Sequence, residues 1–495
     1  MKLLLRLSTD LTTKADRTRR RFLRLLVHNL ADAFRSEGIP AQVEPGWVRL
    51  VVATEDPRAL EVARRVFGVH SVSCVEERAL AGLEQLVDEA APFFLPRMEG
   101  KAFAVRARTS GPAPFRSRDV EVTLGARLAP HGKVRLVDPE VTCNVEVRDR
   151  RVYLFDEFLP AWRGLPLGCE GRAVALVSGG FDSAVAAWMM LRRGVALDYV
   201  FCRLGGPVHQ QGTLRVLQVL GERWSYGDRP RVHVLPFEDV VERIRATGRP
   251  ALWQLVLKRL MYRAAERVAG EVRAHGIVTG ESVGQVSSQT LRNLRALDGR
   301  LELPLLRPLV GLDKEEIIAR SRDIGTYELS AVVHEYCAIV PEKPATAAEP
   351  RWVADQESKV ELDLAALVAS RRVLDLRQLD EADLEIAGLE IDEIPAGAHA
   401  LDLRNPAAYR AWHYPGAERL DLGEALAHLE RFERGPTYVP YCEIGLKSAH
   451  LAQVMRQAGL TAYNFRGGMR RLIHYAAERD LIPFDVLPTD AWLHT

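Results

Sequence analysis

The alternation of apolar and polar positions divides the chain into stretches of different character. Leu3–Leu7 reads as a strand, Lys14–Glu37 as a helix and Trp47–Ala53 as a second strand, a small α+β unit assigned to residues 1–58. Helix-like Ala59–Phe67 and Gly82–Phe93 follow. With the alternating strands Ala102–Ala107 and Glu146–Leu154 they make a second α+β unit, residues 59–165, ended by the turn Leu165-Pro166-Leu167-Gly168. Residues 170–341 alternate strands and helices: Ala173–Val177, Phe181–Arg193, Leu197–Cys202, Thr213–Leu220, Arg231–Pro236, Leu252–Val268 and Gly276–Thr279. That order predicts a doubly wound parallel sheet with helices on both faces. Residues 342–395 are expected to be an acidic, partly helical linker, with Pro341, Pro344 and Pro350 near its start. The last unit, 396–495, again alternates strands and helices from Ala400-Leu401-Asp402-Leu403-Arg404. The expected fold class is multidomain, α+β in front and α/β behind.

Composition changes this picture little. At 495 residues with 47 % hydrophobic and 27 % charged positions, the chain can bury several cores. The net charge of +1 hides an asymmetry: residues 1–340 carry +9 and residues 341–495 carry −8. The basic front, with six basic residues between Lys14 and Arg24, could meet a polyanion or simply present a solvated helix face. Six cysteines without a CxxC pair predict neither a disulfide framework nor a tightly bound metal. Arg6 interrupts the first apolar run and no long apolar segment follows, so neither a signal peptide nor a membrane span is expected, and the chain reads as cytoplasmic.

Two stretches carry chemistry. Ser178-Gly179-Gly180-Phe181-Asp182-Ser183 follows an apolar strand and opens a helix. Its glycines permit a sharp turn, and its N–H groups and helix N-terminus form a nest for a phosphate. Asp182 is acidic where an anion should sit, which suits a role through Mg²⁺ or an amide. A helix-capping turn is the plainer alternative. The polar loop Gly280–Thr290 follows the Gly276–Thr279 strand, so it lies at the carboxyl edge of the sheet where ligands bind. Lys258 and Lys314 could reach a phosphate, although either could be an ordinary surface lysine.

The second stretch is Tyr438-Val439-Pro440-Tyr441-Cys442-Glu443-Ile444-Gly445-Leu446-Lys447-Ser448, a strand, a Cys-led loop and the start of a helix. Loop N–H groups, the helix dipole and Lys447 would favour a thiolate at Cys442, able to hold sulfur as a persulfide. Glu443, Gly445, Lys447 and Ser448 are its loop. A phosphatase would need Arg five residues after the cysteine, where Lys447 stands. Cys337, in His334-Glu335-Tyr336-Cys337-Ala338, is a second thiol. It could attack the persulfide and leave a Cys337–Cys442 disulfide, or be unreactive.

These motifs resemble known families. The Ser178–Ser183 loop resembles that of PP-loop ATP pyrophosphatases, and the setting of Cys442, with Asn464-Phe465-Arg466-Gly467-Gly468, resembles the rhodanese fold. The whole chain resembles the bacterial tRNA 4-thiouridine synthases, or tRNA sulfurtransferases, with ferredoxin-like N-terminal, THUMP, PP-loop and rhodanese domains in that order. The resemblance implies that Leu176, Val177 and Gly280 line the nucleotide site with backbone groups and that Lys258 and Gln289 contact ATP. Ser178, Gly179, Gly180 and Ser183 would hold pyrophosphate, Asp182 would matter for adenylation, and Lys314 would contribute. Cys442 would carry the persulfide with Cys337 as its disulfide partner. ATP with Mg²⁺, tRNA and a cysteine desulfurase are the implied reactants and partners. Donation to a thiamine sulfur-carrier protein and a homodimer stay open. So do two rival readings: another PP-loop enzyme, such as a 2-thiouridine synthase, and a sulfur-relay or RNA-binding protein without ATP turnover.

Overall fold

The computed structural model describes every residue except 47–48, 112, 149, 300, 334–338, 340 and 483–495. The described residues form two compact units. One holds residues 1–172, 189–196 and 223–229; the other holds 173–188, 197–222 and the chain from 230 onward.

The first unit is built on one nine-stranded sheet. The Leu-rich start explains itself here. On the strand Lys2–Leu7, Leu3, Leu5 and Leu7 face one core with Phe22, Leu26 and Leu30 of the helix Asp16–Ser36. Leu4 points to the opposite face, against Val51, Val75, Tyr153 and Phe155. A strand covered on both faces needs a continuous apolar run rather than alternation. The helix places Lys14, Arg17, Arg20, Arg21 and Arg24 on its exposed side or just before it. The expected boundary at 58/59 requires correction. The helix Ala59–Arg65 and the strand that follows it complete the first α+β layer, in the antiparallel strand order Ala41–Pro45, Arg49–Thr54, Lys2–Leu7, Val69–Ala79. That last strand is shared. Val69–Val75 pairs with Lys2–Leu7, and Glu76–Ala79 pairs with Arg151–Phe155 of the second layer. No linker separates the two layers because one strand belongs to both.

The second unit contains a six-stranded sheet in the order Leu305–Leu306, Ile277–Val278, Arg172–Val177, Ala196–Arg203, Arg231–Pro236, Arg372–Asp375. The ladders Val174↔Ile277, Ile277↔Leu305 and Tyr199↔Val232 are parallel, as the strand–helix alternation predicts. The last strand is antiparallel and comes from the expected linker. That segment is in large part folded. Helices Pro350–Ser358 and Leu364–Ala369 bury Val353 and Val368 beside Val360 in the core of this sheet. Glu349, Arg351, Asp355, Lys359 and Glu361 lie on the exposed side, which is why composition alone resembles a linker. Glu357 is the exception: it is buried and takes Arg259 and Arg263, each at 2.7 Å.

A four-stranded parallel sheet completes this unit, in the order Glu418–Arg419, His399–Asp402, Thr437–Tyr441, Thr461–Ala462. Glu390–Ile391 pairs with Asn464–Phe465, so pairing in this part begins before the expected start at 396. Among the described residues no helix is long and apolar enough to cross a membrane.

Candidate active site

Strand Arg172–Val177 ends at the carboxyl edge of the sheet, and helix Phe181–Arg192 begins four residues later. Ser183 ties the intervening loop together: its Oγ accepts from Ser178 N at 3.3 Å and donates to Gly180 O at 3.2 Å. Gly179 has φ +78°, and a Cβ there would lie 2.7 Å from Thr213 Oγ1 and 2.9 Å from Val333 Cγ1. Only glycine meets both conditions. Leu176 is half-buried and Val177 buried, so at the strand end they offer mainly backbone.

The Gly280 loop closes on this turn. A Cβ on Gly280 would lie 2.7 Å from Asp182 C and Ser183 N, so the two segments touch backbone to backbone. Asp182 accepts from Lys314 Nζ at Oδ1 and from Gln285 Nε2 at Oδ2, each at 2.8 Å. Three segments far apart in sequence thus converge on one carboxylate at a helix N-terminus. Gln289 is buried, and its Oε1 accepts from Ser282 N at 3.3 Å. It braces the loop from inside.

Lys258 is engaged too, but by a residue that no sequence motif singles out. Its Nζ donates to Glu281 Oε1 at 3.0 Å. Glu281 also accepts from Arg307 Nε at 2.7 Å, from Thr279 Oγ1 at 3.2 Å and from the Tyr262 hydroxyl. Burial would push the Glu281 carboxyl up, but Lys258, Arg307 and Tyr262 together hold it down at about 2. Glu281 and Gln285 both lie within the polar loop Gly280–Thr290, where ligands were expected. The signal that would have found them is a polar side chain on a loop at the strand ends.

Cys442 closes the strand Thr437–Tyr441 and is 2 % exposed. Ser448 Oγ lies 3.4 Å from its Sγ and 3.1 Å from Gly445 O. Gly445 stands at the N-cap of helix Leu446–Gln457 with φ +83°. The Gly467-Gly468 turn supports the loop from behind: Met469 N donates to Glu443 O at 2.9 Å. A Cβ on Gly468 would come 2.5 Å from Glu443 O and 2.8 Å from Gly445 N. This close approach accounts for the glycine pair. Glu443 and Lys447 are exposed, whereas Gly445 and Ser448 are buried. Cys442 is a free thiol. Cys337 and the contemplated Cys337–Cys442 disulfide lie outside the described residues. Burial pushes the thiols of Cys143 and Cys169 up to about 12 and that of Cys202 further, which disfavours a thiolate at all three.

The helix Pro207–Trp224 stands between the two centres. His209 Nε2 lies 3.1 Å from Ser178 O of the glycine loop. The neighbouring residue, Val208, packs on the apolar cluster that contains Cys442. A cavity of about 120 Å³ is lined by His209, Gly212 and Val333 on one side and by Leu446, His450 and Val454 on the other.

The first unit has its own cleft, of about 470 Å³, lined by Arg6, Arg49, Arg106, Arg108, His70 and Phe158 among others. One buried carboxylate, Glu146, serves three arginines: Arg49 at 2.9 Å, Arg6 at 3.7 Å and Arg148 at 3.8 Å. Burial pulls the Arg6 guanidinium down to about 10; Glu146 opposes the fall, and Arg49 and Arg108 add to it. The cleft is therefore short of negative charge, which suits a phosphate backbone.

The chain is similar to known proteins along most of its length. Residues 168–362 match the family described as "Thiamine biosynthesis protein (ThiI)", 2–73 the ThiI ferredoxin-like domain, 81–157 the THUMP domain and 389–473 the rhodanese-like domain. A tRNA sulfurtransferase of Pyrobaculum aerophilum is 38 % identical over 469 residues, covering 92 % of this chain and 95 % of that one. One from Pectobacterium atrosepticum is 30 % identical over 479 residues, covering 93 % and 98 %. A crystal structure of a 4-thiouridine synthetase–RNA complex with bound ATP superposes with a TM-score of 0.66 at 28 % identity, covering 76 % of this chain and 99 % of that one. On this similarity, which spans nearly the whole chain, the protein belongs to the tRNA sulfurtransferase family.

Proposed function

We propose that this tRNA sulfurtransferase activates O4 of a uridine, that at position 8, with ATP at the Ser178–Ser183 loop, and replaces that oxygen with sulfur carried on Cys442 to give 4-thiouridine. The observation that carries this reading is the helix Pro207–Trp224, where consecutive residues meet the two centres: Val208 the Cys442 cluster and His209 the glycine loop. An ATP site and a thiol cradle joined in this way suit a reaction that needs both at one carbon. The ATP and RNA in the related 4-thiouridine synthetase support the choice of reactants.

In this mechanism the loop N–H groups and Lys314 hold the phosphates, and Lys258 and Gln289 contact the nucleotide. Asp182 presents hard carboxylate oxygens, the donor type that suits the Mg²⁺ accompanying ATP. Attack of O4 on the α-phosphate releases pyrophosphate and leaves AMP as a leaving group on C4. A cysteine desulfurase loads Cys442 with sulfane sulfur. Sulfur then adds at C4, either from the persulfide directly or as hydrosulfide freed when Cys337 attacks Cys442, and AMP departs. The two electrons that reduce sulfane sulfur to sulfide come from the two thiols. The resulting disulfide must be reduced before the next cycle. With α-labelled ATP, the expected products are AMP and pyrophosphate, formed only with a tRNA that has uridine 8. Release of ADP, or AMP formation with a cytidine-8 tRNA, would overturn the assignment.

The arginine cleft and the basic helix of the first unit would hold the tRNA backbone. Arg106 and Arg108 are exposed, so replacing both with Ala should spare the fold. Binding of tRNA should weaken whatever the uridine. The slope of log Kd against log salt, read by filter binding, should fall by about one for each phosphate the variant no longer neutralises. An unchanged slope would remove the cleft from the interface.

A further inference from the structure

Two donors converge on one carbonyl of the glycine loop. Ser178 O lies 3.1 Å from His209 Nε2 and 3.2 Å from Thr213 Oγ1, both on the helix Pro207–Trp224. They are not equal. The Thr213 hydroxyl has one proton and makes a shorter bond, 2.9 Å, to His209 O within its own helix. His209 is the committed donor. A carbonyl can only accept, so the hydrogen of the ring is on Nε2. Fully buried Phe201 meets the ring edge-on, with centroids 5.2 Å apart, and sets its orientation.

A peptide bond is planar and trans, so its C=O and N–H point in opposite directions. Tying Ser178 O to the helix therefore aims the Gly179 N–H away from it. Gly179 is left-handed at φ +78°, and the helix that starts at Phe181 contributes its own unpaired N–H groups. The sequence of donors is the nest expected for a phosphate. Without the tie, the Ser178–Gly179 peptide is free to rotate.

We propose that His209 is a positioning residue for ATP, fixing the Ser178–Gly179 peptide so that the loop N–H groups converge on the phosphates, with Thr213 in a secondary part. This rests on the reading of Ser178–Ser183 as the ATP loop. The residue touches neither ATP nor the uridine; it acts through the Ser178 carbonyl. Its amide analogue, Gln, carries an N–H donor at about the same distance from the backbone as Nε2.

The test is equilibrium binding of α,β-methylene ATP to the full chain, with the KM for tRNA measured alongside. His209→Ala and His209→Leu, one removing bulk and the other keeping it, should each weaken binding about three- to tenfold, the usual range for removal of one hydrogen bond. His209→Gln should stay within about twofold of the parent, and Thr213→Val should cost less than His209→Ala. The KM for tRNA should not move, whereas a general loss of structure would shift it, and thermal melts identify any variant that fails to fold. If the parent does not bind the analogue, the ATP-loop reading itself fails. If the parent binds and both donor-less variants bind equally well, or if Gln is as weak as Ala and Leu, the positioning role is wrong.

Discussion

Cys442→Ser is expected to abolish thiolation while leaving tRNA binding and ATP-dependent adenylation of the tRNA, read as pyrophosphate release, in place. The substitution is nearly isosteric, and at a site 2 % exposed it disturbs little packing. A hydroxyl cannot hold sulfane sulfur, so the loss belongs to the chemistry and not to the fold. The measurement is transfer of ³⁵S from a cysteine desulfurase to the protein and then to tRNA. The parent should label on Cys442, and the variant on neither the protein nor the tRNA. Labelled tRNA from the variant would mean that Cys442 is not the carrier, and the cradle of Gly445, Ser448 and Gly468 would need another explanation.

Glu281→Gln should produce the largest loss of stability. Glu281 is about 5 % exposed and holds two cations, Lys258 and Arg307. Removing its charge leaves both without that counter-charge, although Arg307 keeps Asp298. The expected cost is about 3 kcal/mol, the lower end for breaking a buried pair. The pH dependence gives a similar figure. The carboxyl titrates at about 2 in the folded chain against an ordinary 4.5. The folded-state value is the lower one, so the stabilisation is complete above pH 4.5 and is lost as pH falls from there toward 2. At about 1.4 kcal/mol per unit, that too is roughly 3 kcal/mol. Denaturant unfolding between pH 7 and 3 checks both statements. The parent should lose stability on acidification more steeply than Glu281→Gln, and equal slopes would show that this carboxyl is not held down.

Much of this was legible in the chain. The run Ala173–Val177, the glycine turn and the apolar helix after it point to one structure, and Cys442 reads the same way. The rest was hidden for identifiable reasons. Lys258, Tyr262, Glu281 and Arg307 meet only after strands far apart in sequence pair, and no spacing between them announces it. Residues 350–375 look like a linker because most of their charges, Glu357 apart, face water, while Val353, Val360 and Val368 are too sparse to reveal a buried face. The 58/59 boundary misled because the strand Val69–Ala79 serves two layers, and a shared strand leaves no turn signal. His209 is silent in the sequence because its helix is legible only from Thr213 onward; its Gly-Pro start looks like a loop.

On the proposed reading, one chain couples ATP at Ser178–Ser183 to sulfur on Cys442 and delivers it to C4 of a tRNA uridine. The most direct test is mass spectrometry of tRNA nucleosides from cells lacking the gene, complemented with the parent, Asp182→Asn or Cys442→Ser. 4-Thiouridine should vanish without the gene, return with the parent, and return with neither variant. Persistence of 4-thiouridine in the deletion strain, or loss of 2-thiouridine instead, would contradict that reading.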